Sequence, residues 1–249
     1  MMRLFRLPAL AALVIAGAPA AAQLRAEKRV DLAVPVQLAP GQGAIVVGFR
    51  RPDRMSMGKA GSVAFSRYDL AKREVVFQPR DAKKRGDTTT YWVMARSGDR
   101  KLAVDHAVLI VSPGDYVLFG ASPGMVGLVT NTMCLGAPTF SVAAGETVYF
   151  GDVTPYIGVK LVDGTRASAM AYSSHPEDAR KAVAGQPALL TGFRPAALRN
   201  GATYGCVAQE MTAYRVPGVE ELGAAEPSPT PDLPAGEPPA VPTAPAPAG

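Results

Sequence analysis

Gly120-Ala121-Ser122-Pro123-Gly124 is the stretch of this chain that most nearly spells a catalytic motif. It matches G-x-S-x-G, the nucleophile elbow of serine hydrolases, and it follows an apolar run of strand character. Asp152 or Asp163, followed by His175, supplies an orienting carboxylate and a base in the chain order that α/β-hydrolases use. Two properties of the residues argue against that chemistry. The elbow donates the backbone N–H of the residue after the serine to the oxyanion, and here that residue is Pro123, which has none. The elbow also requires a helix next, whereas Met125 to Thr130 is interrupted by glycine and reads as β-like. Ser-Pro-Gly is an ordinary turn sequence.

The other reactive side chains are dispersed. His106 and His175 are the two histidines, far apart in sequence and without a thiolate partner, so they lack metal-ligand spacing and read as surface or hydrogen-bonded structural residues. Gly41-Gln42-Gly43 lacks the third glycine and the following helix of a dinucleotide loop. Arg85-Gly86-Asp87 spells an integrin-binding tripeptide, but a basic loop tip with glycine accounts for it. Tyr91, Trp92, Tyr149, Tyr156 and Tyr172 could stack a sugar, although aromatic residues in strands generally pack in a core. No catalytic residue, cofactor or metal ligand is therefore assigned.

Compartment is more legible than chemistry. Arg3 and Arg6 precede an apolar run from Leu7 to Ala18, and Ala20-Ala21-Ala22 is a small-residue cleavage site, the order of a secretory signal peptide. Gln23 follows the expected cut, so no lipidated cysteine starts the mature chain, and no later apolar run is long enough to span a bilayer. The expected location is periplasmic or secreted, soluble after the signal is removed. In such a compartment Cys134 and Cys206, an even pair at long spacing, read as a disulfide.

Composition divides the rest. Residues 23–219 hold 24 Lys/Arg against 16 Asp/Glu, a body of formal charge +8 that suits an anionic envelope component or another envelope protein. Basic residues cluster at Arg50-Arg51-Arg54 and from Lys72-Arg73 to Lys83-Lys84-Arg85, with no aromatic interleaving or recognition helix, which argues against nucleic acid. Residues 220–249 are rich in proline and alanine and cannot bury enough apolar surface to offset their ordering entropy, so a disordered tail is expected there.

Short apolar runs separated by turn signals from Ala44 to Tyr172 predict a mainly β protein. Ala44 to Phe49 is apolar on both faces, as in a strand covered on each side. Further strands are expected at Ser62–Tyr68, Val75–Gln78, Thr89–Ala95, Ala103–Val111, Asp115–Phe119, Phe140–Val142, Thr147–Phe150 and Tyr204–Ala208. Tyr156–Val162 and Thr165–Tyr172 flank Asp163-Gly164, the pair suited to a type I′ hairpin turn. One short helix is predicted near 175–184, with Ser174 and Glu177 as a capping box, Pro176 in the first turn, Ala179, Ala182 and Val183 to bury, and Gly185 as the stop.

Leu109 to Leu118, with Pro113-Gly114-Asp115-Tyr116-Val117-Leu118, resembles the strand–PGxY–strand hairpin of transthyretin-like and carboxypeptidase-regulatory-like modules. Ala144-Gly145-Glu146-Thr147-Val148-Tyr149-Phe150 is similar to the "AGExxYF" stretch of exported bacterial β-sandwich domains of unknown function. The resemblance covers Leu109 to Asp152 and implies an antiparallel β-sandwich with an adhesive, structural or uncharacterised role. The expectation is a non-catalytic exported module, periplasmic or in the cell envelope, of binding or structural role, with a Ser122 hydrolase as the alternative. A cleft with convergent ionisable side chains would speak for the enzyme, an aromatic or basic surface patch for the binding module.

Overall fold

In the computed structural model, residues 30–50, 61–97, 102–124, 131–160, 162–206 and 211–223 are described. Residues 1–22, where a signal peptide is expected, Arg51, Arg54, Met125 to Thr130, Val207 and Ala208 of the expected last strand, and the residues from Ala224 onward lie outside them.

The strands are β1 Gly43–Phe49, β2 Ser62–Asp69, β3 Glu74–Val75, β4 Trp92–Arg96, β5 Asp105–Val111, β6 Gly114–Ser122, β7 Asn131–Val142, β8 Thr147–Lys160 and β9 Arg166–Ser173. Helices α1 Pro176–Ala182 and α2 Pro187–Leu190 follow, then β10 Phe193–Pro195, β11 Arg199–Thr203 and β12 Thr212–Ala213. The protein is mainly β. One sheet runs β10-β8-β1-β5 with β9 also on β8; the other runs β11-β7-β6-β2-β3, with β12 on β7 and β4 on β2. Both sheets are mixed, because β1 and β10 each lie parallel to β8, and β12 lies parallel to β7.

β1 is buried along its whole length, as its two-faced apolarity requires. Ile45 and Val47 face the second sheet and share a core with Phe65, Tyr116, Phe140 and Phe150. Val46 faces the other way, onto Tyr149, Ala179, Val183, Leu189 and Phe193, so the two short helices form a third layer. Gln186 anchors the first described segment to that layer: its Oε1 accepts from Val36 N–H at 2.7 Å, and its Nε2 donates to Leu32 O at 2.7 Å and Val34 O at 3.1 Å.

Several sequence expectations need correction. The Pro113-Gly114 turn is not a hairpin: β5 and β6 belong to different sheets, and the turn is a corner held by Tyr116, whose hydroxyl donates to Ser112 O at 2.6 Å. The hairpin of β8 and β9 forms, but Gly164 alone of the Asp163-Gly164 pair has positive φ (84°), and pairing closes at Lys160–Arg166. The connection is therefore longer than a two-residue type I′ turn, with Asp163 Oδ1 accepting from Thr165 N–H. The capping box does not form either. His175 is the N-cap residue of α1, with no side-chain cap bond, and the Ser174 hydroxyl is engaged with Tyr172 instead. A second helix, α2, was not anticipated, and Tyr204 to Cys206 continues irregularly after β11.

Cys134 and Cys206 stand at disulfide distance, with Cα atoms 5.8 Å apart. Beside them the Tyr204 hydroxyl reaches Met133 O at 2.7 Å and Leu118 O at 3.0 Å. Residues up to Gly223 are tied to the second sheet and its neighbours: Asn200 Nδ2 donates to Val216 O and Val219 O, Leu222 N–H donates to Asn200 O, and Arg73 reaches Gly223 O. Among the described residues no helix is long and apolar enough to cross a membrane.

Candidate functional site

Where β1, β5, β8 and α1 meet, two glycines decide what can be assembled. Gly48 on β1 is paired with His106 on one neighbour and with Asp152 on the other. A Cβ on Gly48 would lie 1.9 Å from Asp152 Oδ1, so the bare backbone of the central strand is what lets side chains of the two flanking strands meet above it. Gly151 sits where the β1–β8 register slips between Val46 and Val47, with φ at 128°. That bulge changes the alternation of β8, so Asp152 joins Tyr149 on the helix side while Phe150 and Val153 remain in the inter-sheet core.

Asp152 is the hub. Its Oδ1 accepts from the Tyr149 hydroxyl at 2.7 Å and lies 3.4 Å from His106 Nε2. Its Oδ2 lies 2.8 Å from His175 Nδ1. The Tyr149 hydroxyl in turn accepts the backbone N–H of His175 at 3.1 Å, which fastens the start of α1 to the sheet. Burial pushes the Asp152 carboxyl up, but its close polar contacts with His106, Tyr149 and His175 prevail and hold it below the ordinary carboxylate range. Burial, reinforced by the bond to Asp152, raises Tyr149, which keeps the phenol protonated as a donor.

An ionised carboxylate only accepts, so Nδ1 of His175 carries the hydrogen and Nε2, across the ring, points away from Asp152. The hub is 2% exposed and the His106 side chain 8%, whereas the His175 side chain is 47% exposed. A cleft of about 660 Å³ opens beside it, lined by these three residues together with Arg50, Asp105, Asp178, Lys181 and apolar groups including Leu32, Leu102 and Ala182. Ala182 was expected to be buried; it is instead exposed and forms part of this wall. Asp178 and Lys181, three residues apart on α1, pair with each other at 3.2 Å.

The Asp152…His175 order noted beside the serine motif thus does correspond to a contact, without the serine. Ser122 closes β6 in the opposite sheet, paired with Ser62; its Oγ accepts Gly124 N–H at 3.3 Å, and it does not line the cleft. Asp163 is occupied in its own turn. Sequence spacing keeps the two histidines apart, yet one carboxylate collects both. The available signal was glycine within strands, Gly48 and Gly151, which marks bulges and close approaches.

The remaining candidates are explained locally. Asp87 of the Arg-Gly-Asp tripeptide accepts from Tyr91 Oη at 2.6 Å and Thr89 N–H at 2.9 Å, and the Tyr91 bond foremost pulls its carboxyl down to about 2. Tyr149 is buried on the helix side, and Tyr172 packs edge-on against Phe150, so the five aromatic residues do not share one platform. Glu146, of the resemblance motif, accepts from Ala143 N–H and grips Arg194 through two hydrogen bonds of 2.9 and 2.7 Å, which locks the turn to β10. Among the described residues no group of three or more His, Cys, Asp or Glu could hold a metal ion.

No protein-family model matches the chain, and neither the curated proteins nor the solved structures contain a significant match.

Proposed function

We propose that the chain is an exported, non-catalytic module of the cell envelope, periplasmic or secreted, that takes a small ligand into the cleft beside His175. The observation that supports this most is a buried, donor-saturated Asp152 holding a half-exposed imidazole at the wall of a ligand-sized cleft. Such a carboxylate fixes the ring's tautomer and direction, which is how histidines are prepared for recognition as well as for catalysis.

With two histidines in the chain, imidazole NMR resonances give a direct readout. A pool of envelope-derived small molecules should displace the His175 signals, and His175→Ala should abolish retention of the bound species. Unmoved signals across the fractionated pool sink the reading. Export is checked by intact mass: the exported chain should begin at Gln23, and retention of Met1 to Ala22 would refute it.

One observation favours a second reading. Convergence of Asp152 and His175 is also the base half of a hydrolytic apparatus, in which Nε2 would take a proton from water. Among the described residues, those that line the cleft include no serine, threonine or cysteine, so the binding role is preferred. Hydrolysis of p-nitrophenyl acetate above background that disappears in His175→Ala would establish the enzymatic role instead.

A further inference from the structure

We infer that the cleft selects an amphipathic anion, a carboxylate or phosphate head joined to an apolar segment; this rests on the cleft being a ligand site. Its charged groups can be sorted by whether they already have a partner. Asp152 accepts from two hydrogen-bond donors and contacts a third nitrogen. Asp105 is 1% exposed and engaged within the fold. Asp178 is matched by Lys181. Among the described residues, every carboxylate that lines the cleft is thus committed.

Arg50 is the exception on the cationic side: among the described residues no carboxylate lies within ion-pair distance of its guanidinium. Its backbone N–H is held by Val153 O at 2.9 Å, which stations it one residue beyond β1 at the rim. A guanidinium offers a planar fork suited to carboxylate or phosphate oxygens. His175, on the same lining, adds a half-exposed imidazole whose Nδ1 is held by Asp152. The apolar half of the ligand is indicated by Leu102, 51% exposed, and Leu32, which share the lining with Arg50. Exposed leucine on the same lining as a guanidinium with no carboxylate partner among the described residues is complementary to a molecule with an anionic head and a hydrocarbon portion, and the cleft's roughly 660 Å³ is of small-molecule size.

The test titrates the intact mature chain with sodium octanoate, octyl phosphate, octyl glucoside and acetate, each below its self-assembly concentration, by calorimetry and by the His175 ring signals. Octanoate and octyl phosphate should bind saturably, and the tighter of the two identifies the head group. Acetate and octyl glucoside should bind at least about tenfold more weakly, and Arg50→Gln should weaken both long anions about tenfold while Arg50→Lys recovers part of it. Octyl glucoside binding as tightly as octanoate, or anion affinity unchanged in Arg50→Gln, would overturn the inference. If octyl glucoside alone moves His175, the selectivity fails while the ligand-site reading survives. If none of the four moves it, the inference fails, and the broader reading is judged by the envelope pool.

Discussion

Tyr149 and Tyr204 are both buried tyrosines that use their hydroxyls to tie late segments of the chain to a sheet, and they do opposite things with the same group. Tyr204 sends its proton into backbone carbonyls, Met133 O and Leu118 O among them, next to the Cys134–Cys206 pair. Tyr149 donates to an ionised carboxylate that also holds two imidazoles and borders a cleft. Carbonyl acceptors have no protonation state to change near neutrality, so the Tyr204 end is a fastening and little else. A buried carboxylate hub holds a half-exposed imidazole at a cleft, so on the reading proposed above the Tyr149 end combines fastening with recognition.

The largest effect should come from breaking the Tyr204 end. A Cys134–Cys206 bond closes a long loop, and its reduction should cost about 4 kcal/mol in the chain-entropy model. Hydrogen exchange should then accelerate first over 199–206, leaving the His175 ring signals in place. Simultaneous loss of both regions would show that they are one cooperative unit. Peptide mapping that finds free thiols in exported protein would refute the bond itself.

Next in size is Asp152→Asn, which removes the charge that three donor groups address and should cost ~2–4 kcal/mol. It should also change the acid limb of stability. Because the folded Asp152 carboxyl lies below its unfolded value, its contribution is complete above the unfolded range near about 4 and is lost as pH falls through the folded value. Wild type should therefore steepen its loss of stability below roughly pH 4 relative to Asp152→Asn. Parallel acid melts of the two proteins would contradict the hub.

Gly48→Ala should destabilise by ~1–3 kcal/mol through overpacking, since its Cβ would fall on Asp152 Oδ1. The sharper readout is that both imidazole signals should move although neither histidine is altered. Unmoved signals would mean that His106 and Asp152 do not meet over β1.

The pair of tyrosines gives the most direct comparison. Tyr149→Phe and Tyr204→Phe should each cost ~1–3 kcal/mol, because each leaves buried acceptors short of a donor. Only Tyr149→Phe should shift the acid limb, because only that hydroxyl bonds a titrating group. An equal shift in Tyr204→Phe would erase the distinction drawn between the two ends.

How much of this was legible beforehand follows from the range of the forces involved. The mainly β character, the wholly buried β1 and the Pro176 start of α1 are written in local alternation, two-faced apolarity and proline's missing N–H. The Cys134–Cys206 pairing was readable because a chain with two cysteines has a single possible pair, whatever its fold. Turn chemistry was less reliable. Pro113-Gly114 marks a reversal, but whether the strands on either side pair or part into two sheets depends on which neighbours each finds. Ser174 and Glu177 have the spacing of a capping box, yet Tyr149 and Tyr172 bid for the groups around them.

The sequence by itself determined the secondary-structure class, the long apolar central strand and the charge of the body, because each depends on residues within a few positions of one another or on composition alone. Tertiary structure decided the site. His106, Asp152 and His175 have no spacing that betrays a relation, since each stands on a different element. They meet because β1 lies between β5 and β8, because Gly48 leaves a gap above that strand, and because the bulge at Gly151 turns Asp152 toward the helices. A carboxylate buried there can stay ionised only when donors from all these elements arrive together, and that is a property of the folded packing rather than of any segment.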